Sequence, residues 1–129
     1  MTVNNTLLAK LKKRRERTVD LGEGRSVTFL RPTEAEFPSM LKLDAGQATW
    51  SVGVEHVKAL VTRWSGFSDA TFVGETVGST DPIPFDADLW AEVCSDRMEW
   101  NQKIAGAILD SVVEHITERD AIAKNSLPG

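Results

Sequence analysis

Tyrosine is absent from this sequence, cysteine occurs once, and no apolar run reaches the ~18 residues that a membrane-spanning helix requires. The single cysteine, Cys94, excludes an intrachain disulfide and favours a reducing compartment. At the N-terminus the apolar residues precede the basic cluster, which reverses the order found in a secretory signal. We therefore expect a cytoplasmic protein that is neither secreted nor inserted in a membrane.

A strong net charge is also lacking, because the formal charge is only -4. The distribution is uneven: residues 1–31 carry a balance of +5, and the remaining residues carry -9. Six basic side chains fall in KLKKRRER, Lys10–Arg17, where they can neutralise phosphates and give salt-sensitive binding of nucleic acid. No aromatic residue interleaves with this cluster, and a solvated basic face explains it without a ligand. Nucleic acid is therefore an alternative partner and not the expected one.

Recognisable catalytic, cofactor and metal motifs are missing as well. Cys94, His56 and His115 are the candidate nucleophile and bases. Cys94 lies at the end of a predicted amphipathic helix, where a buried and inert thiol is the commoner state. Two histidines and one cysteine that lie far apart match no zinc spacing. We expect no catalytic residue, no cofactor and no metal.

Hydrophobic periodicity predicts a mainly α fold with a small N-terminal β-hairpin (α+β), in which a compact helical domain carries a long amphipathic C-terminal helix. The hairpin is expected where two runs rich in Val and Thr flank the turn GEG. Helices are expected at residues 5–16, 39–44, 52–64, 87–95 and 97–122. The helix at 39–44 is placed after Pro38, because a proline limits any helix that begins earlier.

Residues 1–129 are expected to form a single domain. Residues 1–16 form a basic amphipathic N-terminal segment, and residues 17–126 form the body. Residues 68–81 link two predicted helices. This link is mostly polar, and connections of such length without regular structure are usually functional or disordered. We therefore expect it to be mobile.

The predicted helix at 97–122 has one apolar and one polar face. Its apolar stripe consists of residues spaced by four: Trp100, Ile104, Ile108, Val112 and Ile116. We expect the centre of this stripe to pack on the helices at 52–64 and 87–95. A face of this length and apolarity is also consistent with self-association.

Several short motifs follow one another in a characteristic order. The predicted hairpin ends in LRPTEAEF, a helix ends in the motif Trp64–Phe67 (WSGF), and the link ends in the motif Pro82–Phe85 (PIPF). The terminal helix closes near Lys124 and Asn125. Over residues 17–126 this order resembles the small tail assembly chaperones of long-tailed bacteriophages and prophages. The link from 68 to 80 is longer than the short turn usual in that family.

The resemblance implies a non-enzymatic chaperone that holds apolar segments of the tape measure protein in the host cytoplasm. Tail tube protein subunits, a further possible partner, would later polymerise around the tape measure protein, and the chaperone would be absent from the finished virion. Two alternatives from other classes remain open. One is a small phage protein that binds nucleic acid through residues 10–17, and the other is a structural tail or connector component.

Partner binding is expected on the N-terminal helix and on the apolar stripe of the C-terminal helix. On that stripe it is expected at the edge and at the distal end, where the hydrophobic core is expected to end. The residues predicted to bind the tape measure protein are Leu8, Leu11, Leu109, Val113 and Ile116.

Overall fold

Six helices and five strands form the described part of the chain, which comprises residues 3–74 and 76–126 of a computed structural model. The helices are α1 (Val3–Arg15), a 3₁₀ helix (Glu34–Met40), α2 (Val54–Leu60), α3 (Asp69–Val73), α4 (Ala87–Cys94) and α5 (Met98–Ser126). The strands are β1 (Glu16–Gly22), β2 (Arg25–Leu30), β3 (Leu41–Asp44), β4 (Gln47–Trp50) and β5 (Val61–Ser65). The start of the basic segment 1–16 and the side chains of Lys124 and Asn125 lie outside the described residues.

The prediction of a mainly α fold with one small hairpin is wrong. The described residues contain two antiparallel sheets, one with the strand order β1-β2-β5 and one formed by β3 and β4. The protein is therefore a mixed α+β fold. The predicted N-terminal hairpin is confirmed, as are the helices predicted at 5–16, 87–95 and 97–122. No helix within the described residues is both long and apolar enough to cross a membrane.

The C-terminal part of the helix predicted at 52–64 is instead strand β5. In the pairing of β5 with β2, Val61 lies opposite Phe29 and Trp64 lies opposite Val27. Three steps along β5 thus match two along β2, which is a β-bulge. Because the bulge adds one residue, Val61 and Trp64 both reach the core, although they are three residues apart. Their spacing, which is typical of a helix, arises here from a bulged strand.

The helix predicted at 39–44 is also wrong, because the 3₁₀ helix gives way to the β3–β4 hairpin at Leu41. The hairpin turns at Ala45 and Gly46, which have positive φ angles of 52° and 81°. A two-residue loop with positive φ at both positions matches the right-handed twist of the strands it joins. Leu41 and Leu43 alternate with polar residues, which is the period of a strand.

The hydrophobic core lies between the three-stranded sheet and helices α2, α4 and α5. The stripe of α5 enters it as expected, since Trp100, Ile104, Ile108 and Val112 are buried. The indole of Trp90 on α4 stacks on that of Trp100 with ring centroids 6.5 Å apart. These contacts confirm that the centre of the α5 stripe is core.

The two motifs that flank the link of residues 68–81 contact each other and hold its two ends together. Trp64 stacks on Phe67 with centroids 4.7 Å apart and meets Phe85 edge-on at 5.0 Å. The indole N–H of Trp64 donates to the carbonyl of Ile83 at 2.9 Å, and the amide of Ile83 donates to the carbonyl of Phe67 at 3.0 Å. Helix α3 lies inside the link. The mobility of the link stays a prediction.

Gly66→Ala is expected to destabilise the fold. Gly66 has φ of 82°, and a Cβ atom at this position would overlap the carbonyl oxygen of Gly24 in the β1–β2 turn. Backbone strain and this overlap should lower the free energy of unfolding by at least about 1–3 kcal/mol, measured by urea denaturation. As a control, Gly106→Ala adds a Cβ that, apart from its chain neighbours and the backbone of its own helix, has no heavy atom within 4 Å. It should raise stability by about 0.5–1 kcal/mol, because alanine suits a helix interior better than glycine. Wild-type stability in Gly66→Ala would contradict the close approach.

Candidate functional site

Cys94 is confirmed as a buried thiol. Its side chain is fully buried, and its Sγ donates to Asn101 Oδ1 at 3.1 Å. The Asn101 amide in turn donates to the Cys94 carbonyl. Burial raises the pKa of the Cys94 thiol, which disfavours the thiolate needed for nucleophilic attack. No group of three or more His, Cys, Asp or Glu side chains in the described part of the chain is placed to hold a metal ion.

An apolar surface runs from the β3–β4 hairpin across the 3₁₀ helix to α5. Leu41 pairs with Trp50 across the hairpin, and Leu43 lies on the same face because side chains alternate along a strand. The Trp50 ring meets Phe37 of the 3₁₀ helix edge-on, with centroids 5.8 Å apart. Phe37 and Ile116 of α5 line one groove of about 240 Å³. Val113 precedes Ile116 by one helical turn. We call the following six residues the apolar surface: Phe37, Leu41, Leu43, Trp50, Val113 and Ile116.

The side chains of the apolar surface are more exposed to solvent than those of the core. The exposed fraction is 83% for Leu43, 49% for Val113 and 37% for Ile116, whereas Ile108 and Val112 of the same helix are fully buried. Among the described residues β3 and β4 pair only with each other, so both outer edges of this hairpin are open. Open edges offer unpaired backbone donors and acceptors to an extended segment. The arrangement can therefore bind an apolar chain through side chains and backbone together.

The five residues predicted to bind a partner fall into two groups. Three lie along one stripe of α5: Leu109, Val113 and Ile116. The other two, Leu8 and Leu11, lie on α1 and are about half exposed. Leu11 borders a different groove, whose α5 wall includes Glu118. His115 also lines this groove and is shared with the groove of Phe37 and Ile116. The two groups therefore border separate grooves that meet at His115, and the binding role of each group stays a prediction.

Sequence reasoning misses the hairpin half of this surface. Leu41 and Leu43 fall inside the incorrect helix predicted at 39–44, and Phe37 and Trp50 lie on either side of it. The available signal is the alternation in LKLD and QATW on either side of Ala-Gly, which together are typical of a hairpin.

Charged contacts hold the 3₁₀ helix against α5 beside the apolar surface. Glu34 Oε2 lies 2.8 Å from His115 Nε2 and also accepts from the Arg119 guanidinium. The His115 ring meets Phe37 edge-on at 6.1 Å. The hydrogen bond with His115, assisted by the charge of Arg119, outweighs desolvation and holds the pKa of the Glu34 carboxyl below its ordinary value. These contacts place Phe37 and Ile116 side by side.

The Glu34 carboxyl is expected to titrate below the ordinary pKa of 4.5, and its pKa should rise in His115→Ala. Because unfolded Glu34 binds its proton at a higher pH than folded Glu34, this contact stabilises the fold fully above about pH 4.5 and is lost as the pH falls through the lowered pKa. Carboxyl chemical shifts followed by NMR measure both values. Arg63→Gln, which removes a contact with Glu16, is the control and should leave the pKa of Glu34 unchanged. An identical Glu34 midpoint in wild type and His115→Ala would contradict the contact.

Comparisons with known proteins assign no function to this chain. No protein-family model, no curated protein and no solved structure matches it. The resemblance to tail assembly chaperones therefore stays a prediction that rests on the order of motifs in the sequence.

Proposed function

We propose that the protein is a non-enzymatic phage tail assembly chaperone. It holds apolar segments of the tape measure protein in the host cytoplasm while the tail is assembled, and it is absent from the finished virion. The observation that carries the proposal is the apolar surface, in which a hairpin, a 3₁₀ helix and α5 present apolar side chains next to open strand edges. An apolar segment of a partner can bury these side chains and pair with an edge.

The two motifs that carry the resemblance act together in the fold. Trp64–Phe67 and Pro82–Phe85 contact each other through ring packing and through hydrogen bonds at Ile83. A backbone bridge between Ser68 and Pro82 lies beside them. This shared role gives a physical reason for the two motifs to occur in one chain. They support the fold, and the proposed partner contact lies elsewhere.

The size of the apolar surface suits a reversible holding function. Fully burying a large apolar side chain contributes roughly 1.5–3 kcal/mol. Association itself costs about 4–15 kcal/mol in lost translational, rotational and side-chain freedom. Six partly exposed side chains therefore support binding of moderate strength. Such binding keeps an apolar segment soluble and still releases it when tail tube subunits polymerise around it.

Co-expression with the tape measure protein tests the proposal. We expect the soluble fraction of tape measure protein to rise with the wild-type chain and to fall again with Leu43→Ser or Ile116→Ser. Both residues are exposed, so these variants should keep nearly the wild-type melting temperature. Val77→Ser is the matched control, because Val77 is 79% exposed but lies outside the apolar surface, and it should retain full capture.

Two further variants separate folding from holding. Ile108→Ala truncates a fully buried side chain and should destabilise the fold by about 2–5 kcal/mol. The double variant Leu8→Ser, Leu11→Ser measures the contribution of α1 independently of the apolar surface. If tape measure protein stays as insoluble with the wild-type chain as without it, the proposal fails. If Val113→Ser and Ile116→Ser melt the domain as Ile108→Ala does, these residues are core and cannot form the contact surface.

A further inference from the structure

A second groove, which adjoins the groove of Phe37 and Ile116 at His115 of α5, is lined mainly by arginine. It measures about 290 Å³. We call it the arginine groove, and its lining residues are Leu11, Arg14, Arg15, Arg17, Arg31, His115 and Glu118. The fold builds it where α1 ends and β1 begins, because the β1–β2 hairpin returns the chain to this point. The amide of Arg31, just after β2, donates to the carbonyl of Arg15 at 2.7 Å.

Backbone hydrogen bonds hold three of the arginines in place. Arg15 Nη1 donates to the carbonyl of Arg31 at 3.0 Å, and Arg17 Nη1 donates to the carbonyl of Arg14 at 2.9 Å. Arg31 Nη1 donates to the carbonyl of Pro32 at 2.6 Å. A guanidinium has five N–H donors, so each of these side chains retains donors for a ligand. The carbonyl partners orient the guanidinium groups but do not neutralise them.

Positive charge in the arginine groove is poorly compensated. Within the described residues no carboxylate oxygen lies within 4.0 Å of the guanidinium nitrogens of Arg14, Arg15 or Arg31. Arg17 has one such partner, Glu114 at 3.7 Å. Burial lowers the pKa of Arg31, the neighbouring charges of Arg15 and Arg17 lower it further, and the carboxylates of Glu34 and Glu118 offset only part of this effect. Part of the repulsion among these arginines therefore remains uncompensated.

We propose that the arginine groove binds a phosphate group. Four guanidinium groups face one lining carboxylate, so a multiply charged anion balances the groove better than a single carboxylate does. Planar guanidinium groups bind phosphate oxygens through paired, charge-assisted hydrogen bonds. The groove is at the small end of ligand sites, and it lacks the Phe or Trp side chains on which a base would stack. It therefore recognises the phosphate itself, supplied either by a small polyphosphate or by a nucleic-acid backbone.

Calorimetric titration with pyrophosphate at low ionic strength tests this site. The wild-type chain should bind one pyrophosphate, and Arg14→Gln and Arg31→Gln should each weaken binding by about tenfold, the scale of one charge-assisted hydrogen bond. Glu118→Gln should tighten binding, because it removes the opposing charge from the lining. A folding defect cannot produce a tighter complex. Lys13→Gln makes the same charge change on α1 outside the groove and is the matched control.

The outcomes separate a defined site from diffuse attraction. Absence of pyrophosphate binding, equal loss in Lys13→Gln and Arg14→Gln, or no gain in Glu118→Gln would each overturn the proposal. Should Arg31→Gln unfold, Arg31→Lys keeps the charge without the planar fork and should still bind more weakly than wild type. A single-stranded oligonucleotide that competes with pyrophosphate and depends on Lys13 as well as Arg14 would assign the groove to nucleic acid. Pyrophosphate binding without such competition would assign it to a small polyphosphate.

Discussion

The pairing of β5 with β2 determines where most of the later chain lies. Gly66 ends this strand against the carbonyl of Gly24 in the β1–β2 turn, in a conformation and at a distance that only glycine tolerates. The chain then reverses, so that Phe67 enters the core against Trp100 of α5 with ring centroids 5.6 Å apart. Trp64, near the end of the strand, donates to the carbonyl of Ile83 and so joins the two ends of the link. The sheet, the link and the long helix are thus joined at one point.

Local sequence patterns predict the elements whose burial is determined within the element itself. Helix α5 shows an uninterrupted four-residue repeat, and α4 is preceded by the N-cap residue Asp86, whose carboxylate accepts from the amide of Leu89 at 2.8 Å. Strand β5 is different, because its conformation depends on a partner more than thirty residues earlier in the chain. Its bulge at Thr62 also places the apolar residues Val61 and Trp64 three positions apart, a spacing that is typical of a helix. Periodicity alone cannot distinguish the two cases.

The candidate site follows the same rule. Val113 and Ile116 can be selected from sequence, because they lie at the edge of the α5 stripe where burial decreases. Their neighbour Phe37 cannot be selected in this way, because it meets α5 through tertiary contacts, namely its own contact with the His115 ring and the contact of Glu34 with His115. A surface assembled from a hairpin, a 3₁₀ helix and a distant helix has no local sequence signature. Two of the six residues of the apolar surface are therefore predictable, and the other four are not.

Different faces of helix α5 contribute to the core, to the apolar surface and to the arginine groove. Ile108 and its buried neighbours stabilise the fold, Val113 and Ile116 contribute to the apolar surface, and Glu118 borders the arginine groove. Domains are stable by only about 5–15 kcal/mol, so an exposed contact surface is most useful when its side chains are not also needed for folding. This division allows the proposed binding of an apolar segment to leave the core undisturbed.

The central claim is that tape measure protein is held on the apolar surface. Hydrogen–deuterium exchange of the chain, alone and in complex with a tape measure segment, tests it most directly. The account predicts slower exchange in residues 37–50 and 113–120 of the complex, with exchange at 61–67 unchanged. Protection confined to residues 5–17, with none at 37–50, would contradict it.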